Sequence, residues 1–305
     1  MGVSVASGRL LCMESVRWAF PCGAWTPSRD EWLRCARCVQ PEEKLRIGQF
    51  MFTRDAKAAM AGRLLIRKLI AENLQIPWNK ILLQRTTKGK PFLAKGIPAQ
   101  HKNFNFNVSH QGDFAVLAAE PELQVGIDIM KTDLPGSGST EEFFRIMNRQ
   151  FTEKEWSAIK TMSCEWTRLD MFYRHWALKE SFIKAIGVGL GFNLQRIEFK
   201  VSPINMEIGK SYRETKMWLD DEQENWCFEE VLLDNKHHVA VALGQVDEPK
   251  EHNSKGGKPK DTSFKVFTFE DLMASAIPIS PEDPEYWVNF QSKQEVPFRQ
   301  RSQQN

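Results

Sequence analysis

Residues 176–184 read WALKESFIK, and the glycine-rich run GVGLG follows at 187–191. In a helix, Glu180 and Lys184 of this stretch lie one turn apart on the same face. An exposed ion pair is the commonest meaning of such a pair. Here apolar residues of the same stretch surround the two charges, and the glycines let the backbone turn sharply beside the helix end. A half-buried glutamate and lysine in that position can serve a metal ion and a phosphate.

A second segment, VGIDI at 125–129, is an apolar strand pattern that carries a lone acid, Asp128. A buried carboxylate without a partner is costly. Gly126, two residues earlier, lets another segment approach the strand closely. Two interpretations stay open: Asp128 caps the next turn, or it binds a hard cation such as Mg²⁺, which takes one or two carboxylates together with substrate phosphate oxygens.

Basic and polar residues gather at two further places. Arg85, Lys88 and Lys90 flank Gly89 in a turn whose backbone N–H groups can face a phosphate. A solvated hairpin tip is the alternative interpretation. The sequence NVSHQGD at 107–113 ends a strand pattern with polar side chains, a common place for ligand contacts. A satisfied turn histidine is the alternative for the His in this sequence.

Composition limits the classes of function. The chain has 305 residues and a formal net charge of +2 at pH 7, so it has no general preference for nucleic acid or acidic membranes. Any anion site must come from local clusters of Lys and Arg. No apolar run approaches the ~20 residues of a membrane helix. The six cysteines are scattered and no export signal is recognisable, so we expect free thiols and a cytosolic protein.

The periodicity of apolar residues predicts an α+β fold. Helices are predicted at 28–37, from residue 41 onward, and at 55–73, 141–149, 152–160 and 167–186. Strands are predicted at 81–83, 104–108, 114–119, 124–129, 196–201, 216–219, 226–231 and 238–243. Each half places helices before a run of strands, which predicts two similar lobes.

The domain organisation follows from the same patterns. We expect a flexible N-terminal tail at 1–12, an N-terminal lobe at 13–120 and a C-terminal lobe with the metal site at 121–244. Residues 245–263 are rich in charged, Pro, Gly and Ser residues and predict a disordered linker. The C-terminal extension, 264–305, starts with a predicted edge strand at 264–269. After Pro278 it is expected to be extended or loose.

The sequence resembles a known family. The segment VGID at 125–128, followed some fifty residues later by WALKESFIK, resembles the paired signature of the Sfp-type phosphopantetheinyl transferases. Three N-terminal motifs also resemble that family in order: RD at 54–55 with GRLL at 62–65, then GKP at 89–91, then NVSH at 107–110. The resemblance extends over residues 14 to 245.

The resemblance implies a pseudo-twofold monomer of two similar lobes, each with helices packed on a small antiparallel sheet, and an active site in the cleft between them. The implied reaction moves the 4'-phosphopantetheine group of coenzyme A to a serine of an apo acyl or peptidyl carrier protein and releases adenosine 3',5'-bisphosphate. Carrier domains of the fatty acid synthase and aminoadipate-semialdehyde dehydrogenase types are the implied partners. Nucleic acid and membranes are not expected partners.

The family's site residues carry over to this chain by position. Asp128 and Glu180 would hold Mg²⁺. Glu180 would also accept the serine proton, and Lys184 would stabilise or protonate the departing phosphate. The residues implied to contact coenzyme A are Arg46, Arg85, Thr86, Thr87, Lys88, Gly89, Lys90, Asn107, Val108, Ser109, His110 and Lys184.

One position departs from the family pattern. The family often has a second acid two residues after the metal-binding Asp, and here that position is Met130, which does not bind a hard cation. The third ligand is therefore either water or Gln111. Two other functions remain compatible with the residues alone: a different metal-dependent phosphotransferase or nuclease, and a non-enzymatic scaffold in which Glu180 and Lys184 form a structural pair.

Overall fold

The structure, a computed structural model, describes residues 13–134, 136, 138–189, 191–245 and 263–296. The predicted tail and the predicted linker, apart from the linker's end residues 245 and 263, lie outside these ranges. The first half contains β1 (Val16–Phe20), α1 (Arg29–Arg37), α2 (Pro41–Gly48), α3 (Thr53–Asn73), β2 (Leu83–Arg85), β3 (Pro91–Leu93), β4 (Asn105–Gln111) and β5 (Phe114–Glu120).

The second half is again a mixture of helices and strands. It contains β6 (Leu123–Lys131), α4 (Thr140–Ile146), α5 (Glu153–Lys160), α6 (Glu165–Ile186), β7 (Ile197–Lys200), β8 (Ser211–Tyr212), β9 (Lys216–Leu219), β10 (Glu222–Gln223), β11 (Cys227–Leu232) and β12 (His237–Gln245). The C-terminal segment adds β13 (Lys265–Val266), α7 (Phe269–Met273) and α8 (Pro284–Gln291). The predicted α+β class is confirmed. No helix of the described residues is long and apolar enough to cross a membrane.

Local sequence explains where the helices begin. The Ser28 side chain accepts a hydrogen bond from the backbone N–H of Glu31, and the Glu31 side chain accepts one from the backbone N–H of Ser28, so a capping box starts α1. Pro41 occupies the first turn of α2, where its missing N–H costs nothing. Thr152 and Glu155 form a second capping box at α5. These three predicted helix starts are confirmed.

Two four-stranded sheets form the centre of the molecule. The first has the strand order β13-β1-β5-β4 and the second has the order β6-β12-β11-β8. Pairing is antiparallel except between β1 and β13. Two smaller sheets, β10-β9-β7 and the hairpin β2-β3, lie outside these two.

The two main sheets pack face to face and helices cover their outer faces. α1 to α3 share an apolar core with the outer face of the first sheet, and α6 shares another with the outer face of the second. Between the sheets lies a third core of Ala19, Val116, Ala118, Val125, Ile127, Ile129, Val239, Val241 and Leu243. Because both faces of β5 and β12 are buried, these strands are apolar almost throughout rather than alternating with polar residues.

A buried ion network also joins the two sheets. Arg17 of β1 contacts Glu120 at 2.5 Å and Glu229 of β11 at 2.6 Å, and none of the Arg17 side chain is exposed. Arg213 contacts the same Glu229 at 2.5 Å. The first sheet therefore meets the second through charged as well as apolar side chains.

Several expectations need correction. The region after Pro278 was expected to be extended or loose, but α8 lies there and stacks Phe290 on Trp32 of α1, with ring centroids 3.9 Å apart. The short strand predicted at 81–83 occurs instead at Leu83–Arg85. The edge strand predicted within 264–269 is confirmed as β13.

Candidate functional site

The packing of β6 against α6 depends on Gly126. A Cβ atom at this position would lie 2.0 Å from the carbonyl oxygen of Ser181 and 2.4 Å from the backbone nitrogen of Ala185. Since real Cβ contacts essentially never fall under 3.0 Å, only glycine allows the helix to rest on the strand backbone here. The side chain of Gln124 fixes the same crossing by donating to Ala185 O at 2.8 Å.

Asp128 follows Gly126 on the same face of β6 and lies at this crossing. Its side chain is 7% exposed, and its Oδ1 accepts a hydrogen bond from Ser109 Oγ at 2.8 Å. Lys184 Nζ lies 2.5 Å from the same oxygen and donates to Ser109 Oγ at 2.8 Å. Three elements, β4, β6 and α6, thus contribute one polar side chain each to a single contact.

Glu180 lies one helical turn before Lys184 on α6 and is partly exposed. Burial raises the pKa of Glu180, the nearby Asp128 carboxylate raises it further, and Lys184 opposes both effects. The Asp128 carboxylate is therefore within electrostatic reach of Glu180. Asp128 and Lys184 are in direct contact, so Lys184 bonds to Asp128 rather than serving only as a neighbour of Glu180.

Side chains of β4 accept hydrogen bonds from backbone N–H groups at the edge of β6. Asn107 Oδ1 accepts the backbone N–H of Ile127 at 3.0 Å, and Gln111 Oε1 accepts that of Lys131 at 2.5 Å. The polar side chains Asn107 and Gln111 of β4 face β6, because unpaired backbone N–H groups at a buried edge need acceptors. Asn107 and Gln111 thereby have structural partners.

Val108 and His110 lie on the other face of β4. Val108 packs on the first core, against which α3 also packs. The His110 ring is solvent-accessible, yet the surrounding protein desolvates it and lowers its pKa. Lys184, Arg46 and Arg63 lower the pKa of His110 further, and Asp55 opposes them. His110 is therefore within electrostatic reach of both Lys184 and the basic residues of the first half.

The hairpin between β2 and β3 reaches across to the end of α6. Lys88 Nζ donates to Val188 O at 2.5 Å and to Gly187 O at 3.3 Å. Gly187 ends α6 in the left-handed conformation, φ 70°, and leaves these carbonyls available. Gly89 forms the hairpin turn with φ 83°. The side chains of Thr86 and Thr87, also in the hairpin, are exposed, and burial lowers the pKa of Lys90.

Two residues beside this hairpin, Glu43 and Arg63, were not among the predicted site residues. Glu43 of α2 accepts hydrogen bonds from Arg85 at 3.1 and 3.2 Å and lies 3.1 Å from Nε of Arg63 on α3. Arg46 is one turn after Glu43, and the pKa of Arg46 is lowered first by desolvation and then by Arg85. The i, i+3 spacing of Glu43 and Arg46 was a visible signal, but their partners come from distant segments.

Lys179 of the WALKESFIK stretch has a structural partner. Its Nζ lies 2.6 Å from Glu155 and donates to the backbone oxygens of Gln150, Leu194 and Ile197. Neither member of the Lys179–Glu155 pair is accessible to solvent. This lysine therefore holds α5, α6 and the start of β7 together.

Two family profiles match consecutive parts of the chain. One, described as 4'-phosphopantetheinyl transferase, N-terminal, matches residues 23–122, and the other, the 4'-phosphopantetheinyl transferase superfamily, matches residues 124–242. The chain belongs to the 4'-phosphopantetheinyl transferase superfamily. The first match contains Arg46, the β2–β3 hairpin and β4, and the second contains Asp128 and Glu180.

Relatives in animals and bacteria support this membership. The chain is 73% identical to the L-aminoadipate-semialdehyde dehydrogenase-phosphopantetheinyl transferase of Xenopus laevis, over 95% of this chain and 96% of that protein. It is 62% identical to the Homo sapiens protein of the same name, over 94% of each. The 4'-phosphopantetheinyl transferase Sfp of Bacillus subtilis is 30% identical over 57% of this chain and 71% of its own length.

Family membership confirms the Sfp-type resemblance and the prediction that the chain is an enzyme, a phosphopantetheinyl transferase. It decides against the two alternatives, a nuclease-like phosphotransferase and a scaffold. Family membership does not by itself assign roles to individual residues.

Proposed function

We propose that this phosphopantetheinyl transferase moves the 4'-phosphopantetheine group of coenzyme A to a serine of an apo carrier protein and releases adenosine 3',5'-bisphosphate. Family membership supports coenzyme A as the substrate. The observation that supports these named residues is the contact between Asp128 and Lys184 where β6 crosses α6, with Glu180 one helical turn before Lys184. Two acids and an amine in one half-buried place can bind a cation and a phosphate together.

The two acids fit Mg²⁺ as a cofactor. The ion prefers oxygen ligands and commonly uses one or two carboxylates together with water and substrate phosphate oxygens. Burial raises the pKa of Glu180 most and Asp128 raises it further, and a cation held by both acids would relieve the second effect. Among the described residues no group of three or more His, Cys, Asp or Glu is placed to hold a metal. When bound, Mg²⁺ would offset the charge of the diphosphate and of the leaving group.

The third ligand is proposed to be water. Gln111, the protein alternative, accepts the Lys131 N–H through its amide oxygen, the same oxygen that would ligate a metal. Met130, two residues after Asp128, packs on the apolar core beneath α6 and offers no hard ligand. A site with two carboxylates leaves the remaining positions to water and to substrate.

The chain's own groups have distinct proposed roles. Glu180 accepts the proton of the carrier serine, because it is a partly exposed carboxylate one helical turn from Lys184. Lys184, held in place by Asp128 and Ser109, stabilises the negative charge on the departing phosphate. Arg46, the β2–β3 hairpin and His110 position the substrate without reacting.

The acceptor is proposed to be a carrier domain of an aminoadipate-semialdehyde dehydrogenase, because two of the relatives described above carry that enzyme in their names. The carrier domain of a fatty acid synthase is a second proposed acceptor. The test is mass spectrometry of both apo domains after incubation with coenzyme A and Mg²⁺. Each domain should gain one phosphopantetheine group on one serine. The absence of this mass increase on every carrier domain would contradict the proposed function. A monomeric, cytosolic protein is proposed as well, to be checked by light scattering and by cell fractionation.

The role of Glu180 has its own test. Glu180→Gln should lower the transfer rate by roughly 10²- to 10⁴-fold, the usual contribution of a general base. Coenzyme A should still bind, as measured by isothermal titration. Glu153→Gln, an equal charge change at an exposed position of α5, is the matched control and should leave the rate unchanged. Wild-type turnover in Glu180→Gln would remove Glu180 from the proposed role.

A further inference from the structure

The basic residues around Glu43 are not balanced in charge. Arg63 and Arg85 contact this one carboxylate, and Arg46 lies close enough for Arg85 and Glu43 to shift its pKa. Three guanidinium groups and one carboxylate leave two positive charges in a small, partly buried volume. Such an excess is costly unless an anion accompanies it.

Glu43 fixes two of the three arginines. Its side chain is 10% exposed, and both of its oxygens accept from Arg85, Oε1 from Nε at 3.2 Å and Oε2 from Nη2 at 3.1 Å. Oε2 also lies 3.1 Å from Nε of Arg63. The remaining end of Arg85, Nη1, donates to Gly89 O at 2.9 Å. One acid therefore ties α2, α3 and the β2–β3 hairpin together with defined arginine orientations.

Arg63 has a buried donor that no described residue satisfies. Its side chain is 7% exposed, and its Nη1 is buried with no hydrogen-bond partner among the residues that the structure describes. Burial lowers the pKa of Arg63 to about 10, Glu43 opposes this effect, and Arg85 and Arg46 add to it. Because buried polar groups in native proteins nearly always have partners, an unsatisfied guanidinium N–H points to a ligand.

The position of the cluster indicates which ligand. His110 follows Ser109, which Lys184 contacts, and the pKa of His110 is lowered first by burial and then by Lys184, Arg46 and Arg63. The cluster therefore adjoins the site proposed for the diphosphate. Coenzyme A carries three phosphoryl groups, two in the diphosphate and one on the ribose. With the diphosphate at Asp128, Glu180 and Lys184, the ribose phosphate is the anion left for the arginines.

We propose that Arg63 is a further substrate-binding residue, which takes the ribose 3'-phosphate of coenzyme A, and that Glu43 is a positioning residue, which orients Arg63 and Arg85 for it. The inference rests on the proposed function and concerns only the residues that bind the ribose 3'-phosphate. The alternative is that Glu43, Arg63 and Arg85 form a structural ion network and do not contact the substrate.

The first experiment compares coenzyme A with 3'-dephospho-coenzyme A as the donor. Arg63→Gln should raise KM for coenzyme A roughly ten- to a hundredfold, the scale of a lost hydrogen bond to a charged group, with kcat little changed. The KM for 3'-dephospho-coenzyme A should change less than twofold. An equal loss with both donors would overturn the assignment. If the wild-type protein transfers from neither donor, the proposed function itself fails, so the two failures are distinguishable.

The second experiment measures binding of adenosine 3',5'-bisphosphate and adenosine 5'-monophosphate by titration and needs no catalysis. Glu43→Gln adds one positive charge, so charge counting alone predicts tighter bisphosphate binding. Loss of orientation predicts the opposite, because the amide replaces one of the two acceptor oxygens of Glu43 by an NH₂ donor, which cannot accept from a guanidinium. We expect Glu43→Gln to weaken bisphosphate binding at least fivefold and to leave monophosphate binding within twofold. Unchanged or tighter bisphosphate binding would overturn the positioning role.

The matched control for Glu43→Gln is Glu72→Gln. Glu72 pairs with Lys68 on α3, and its side chain is 39% exposed. This variant removes one acid from an ion pair of the same lobe without touching the arginines, so the affinity for the bisphosphate should stay at the wild-type value. Circular dichroism melts of all variants separate weakened binding from unfolding, and binding is measured below the melting range.

Discussion

Lys184 of α6 donates to Ser109 of β4, and this 2.8 Å hydrogen bond joins the two halves of the molecule at the candidate site. The strand and the helix come from segments that different family profiles match. This hydrogen bond depends on the packing of β6 against α6, and Asp128 of β6 contacts both Ser109 and Lys184. The first prediction tests that packing.

Replacing Gly126 by alanine should destabilise the protein and disable the site together. The added methyl group cannot be accommodated, because its obstacles are backbone atoms of Ser181 and Ala185. We expect a loss of about 1–3 kcal/mol or more in the free energy of unfolding, as for overpacked cores. Urea unfolding and a transfer assay measure the two effects. Gly136→Ala, where a Cβ would meet nothing within 4 Å, is the control. Wild-type stability in Gly126→Ala would mean that α6 does not rest on β6.

The buried ion network between the sheets should matter more than exposed ion pairs. Glu229→Ala leaves two guanidiniums, Arg17 and Arg213, with one partner fewer, and should cost about 3–5 kcal/mol of unfolding free energy. Arg145→Ala breaks an ion pair with Glu142 in which both side chains are more than half exposed, and should cost much less. Chemical denaturation of both variants makes the comparison. Similar losses in the two would show that the network is not shielded from water.

The acid stability of the protein should depend on His175. This histidine is fully buried in α6, and burial lowers its pKa from 6.5 to about 4. The unfolded chain therefore binds a proton at higher pH than the folded one, so the stabilising contribution is complete above pH 6.5 and is lost as the pH falls toward 4. The difference corresponds to about 3 kcal/mol.

The check is the free energy of unfolding between pH 7 and pH 4 for the wild type and for His175→Leu, which does not titrate. The wild type should lose about 3 kcal/mol more than the variant over this interval. Parallel curves would mean that His175 titrates alike in both states.

The C-terminal segment should stabilise the helix that carries Arg46 and Glu43. Tyr286 Oη donates to Lys44 O at 3.0 Å, Asp283 pairs with Lys44, and Phe290 stacks on Trp32. Phe290→Ala should cost about 3–5 kcal/mol, as for other buried aromatic residues. Thermal melts compare it with Val288→Ala, whose side chain is 55% exposed and which should melt like the wild type. An unchanged melting temperature in Phe290→Ala would mean that α8 is not docked.

Part of this fold follows directly from local sequence. The helix starts at Ser28 and Thr152 were predicted, and the structure shows a capping box at each, a signal that lies within four residues. Gly126 predicted the close approach of another segment, and Asp128 predicted a partner for its carboxylate. Neither residue indicated which segment would supply the contact. Local chemistry thus indicated the site but not its neighbours.

The remaining features depend on distant residues. β1 carries Arg17 inside an otherwise apolar strand, and the arginine is tolerated only because glutamates from β5 and β11 meet it. α8 begins at Pro284 among charged residues. Its apolar side chains are buried only because α8 packs against α1. Glu43, Arg63 and Arg85 come from three separate elements. No periodicity in one segment predicts such combinations, since the energy comes from their tertiary contacts.

The most direct measurement is the anomalous scattering of Mn²⁺, used in place of Mg²⁺, in crystals of the complex with coenzyme A. The account predicts an ion bound by both Asp128 and Glu180 and by oxygens of the diphosphate. An ion bound elsewhere, or a diphosphate bound away from these two carboxylates, would contradict it.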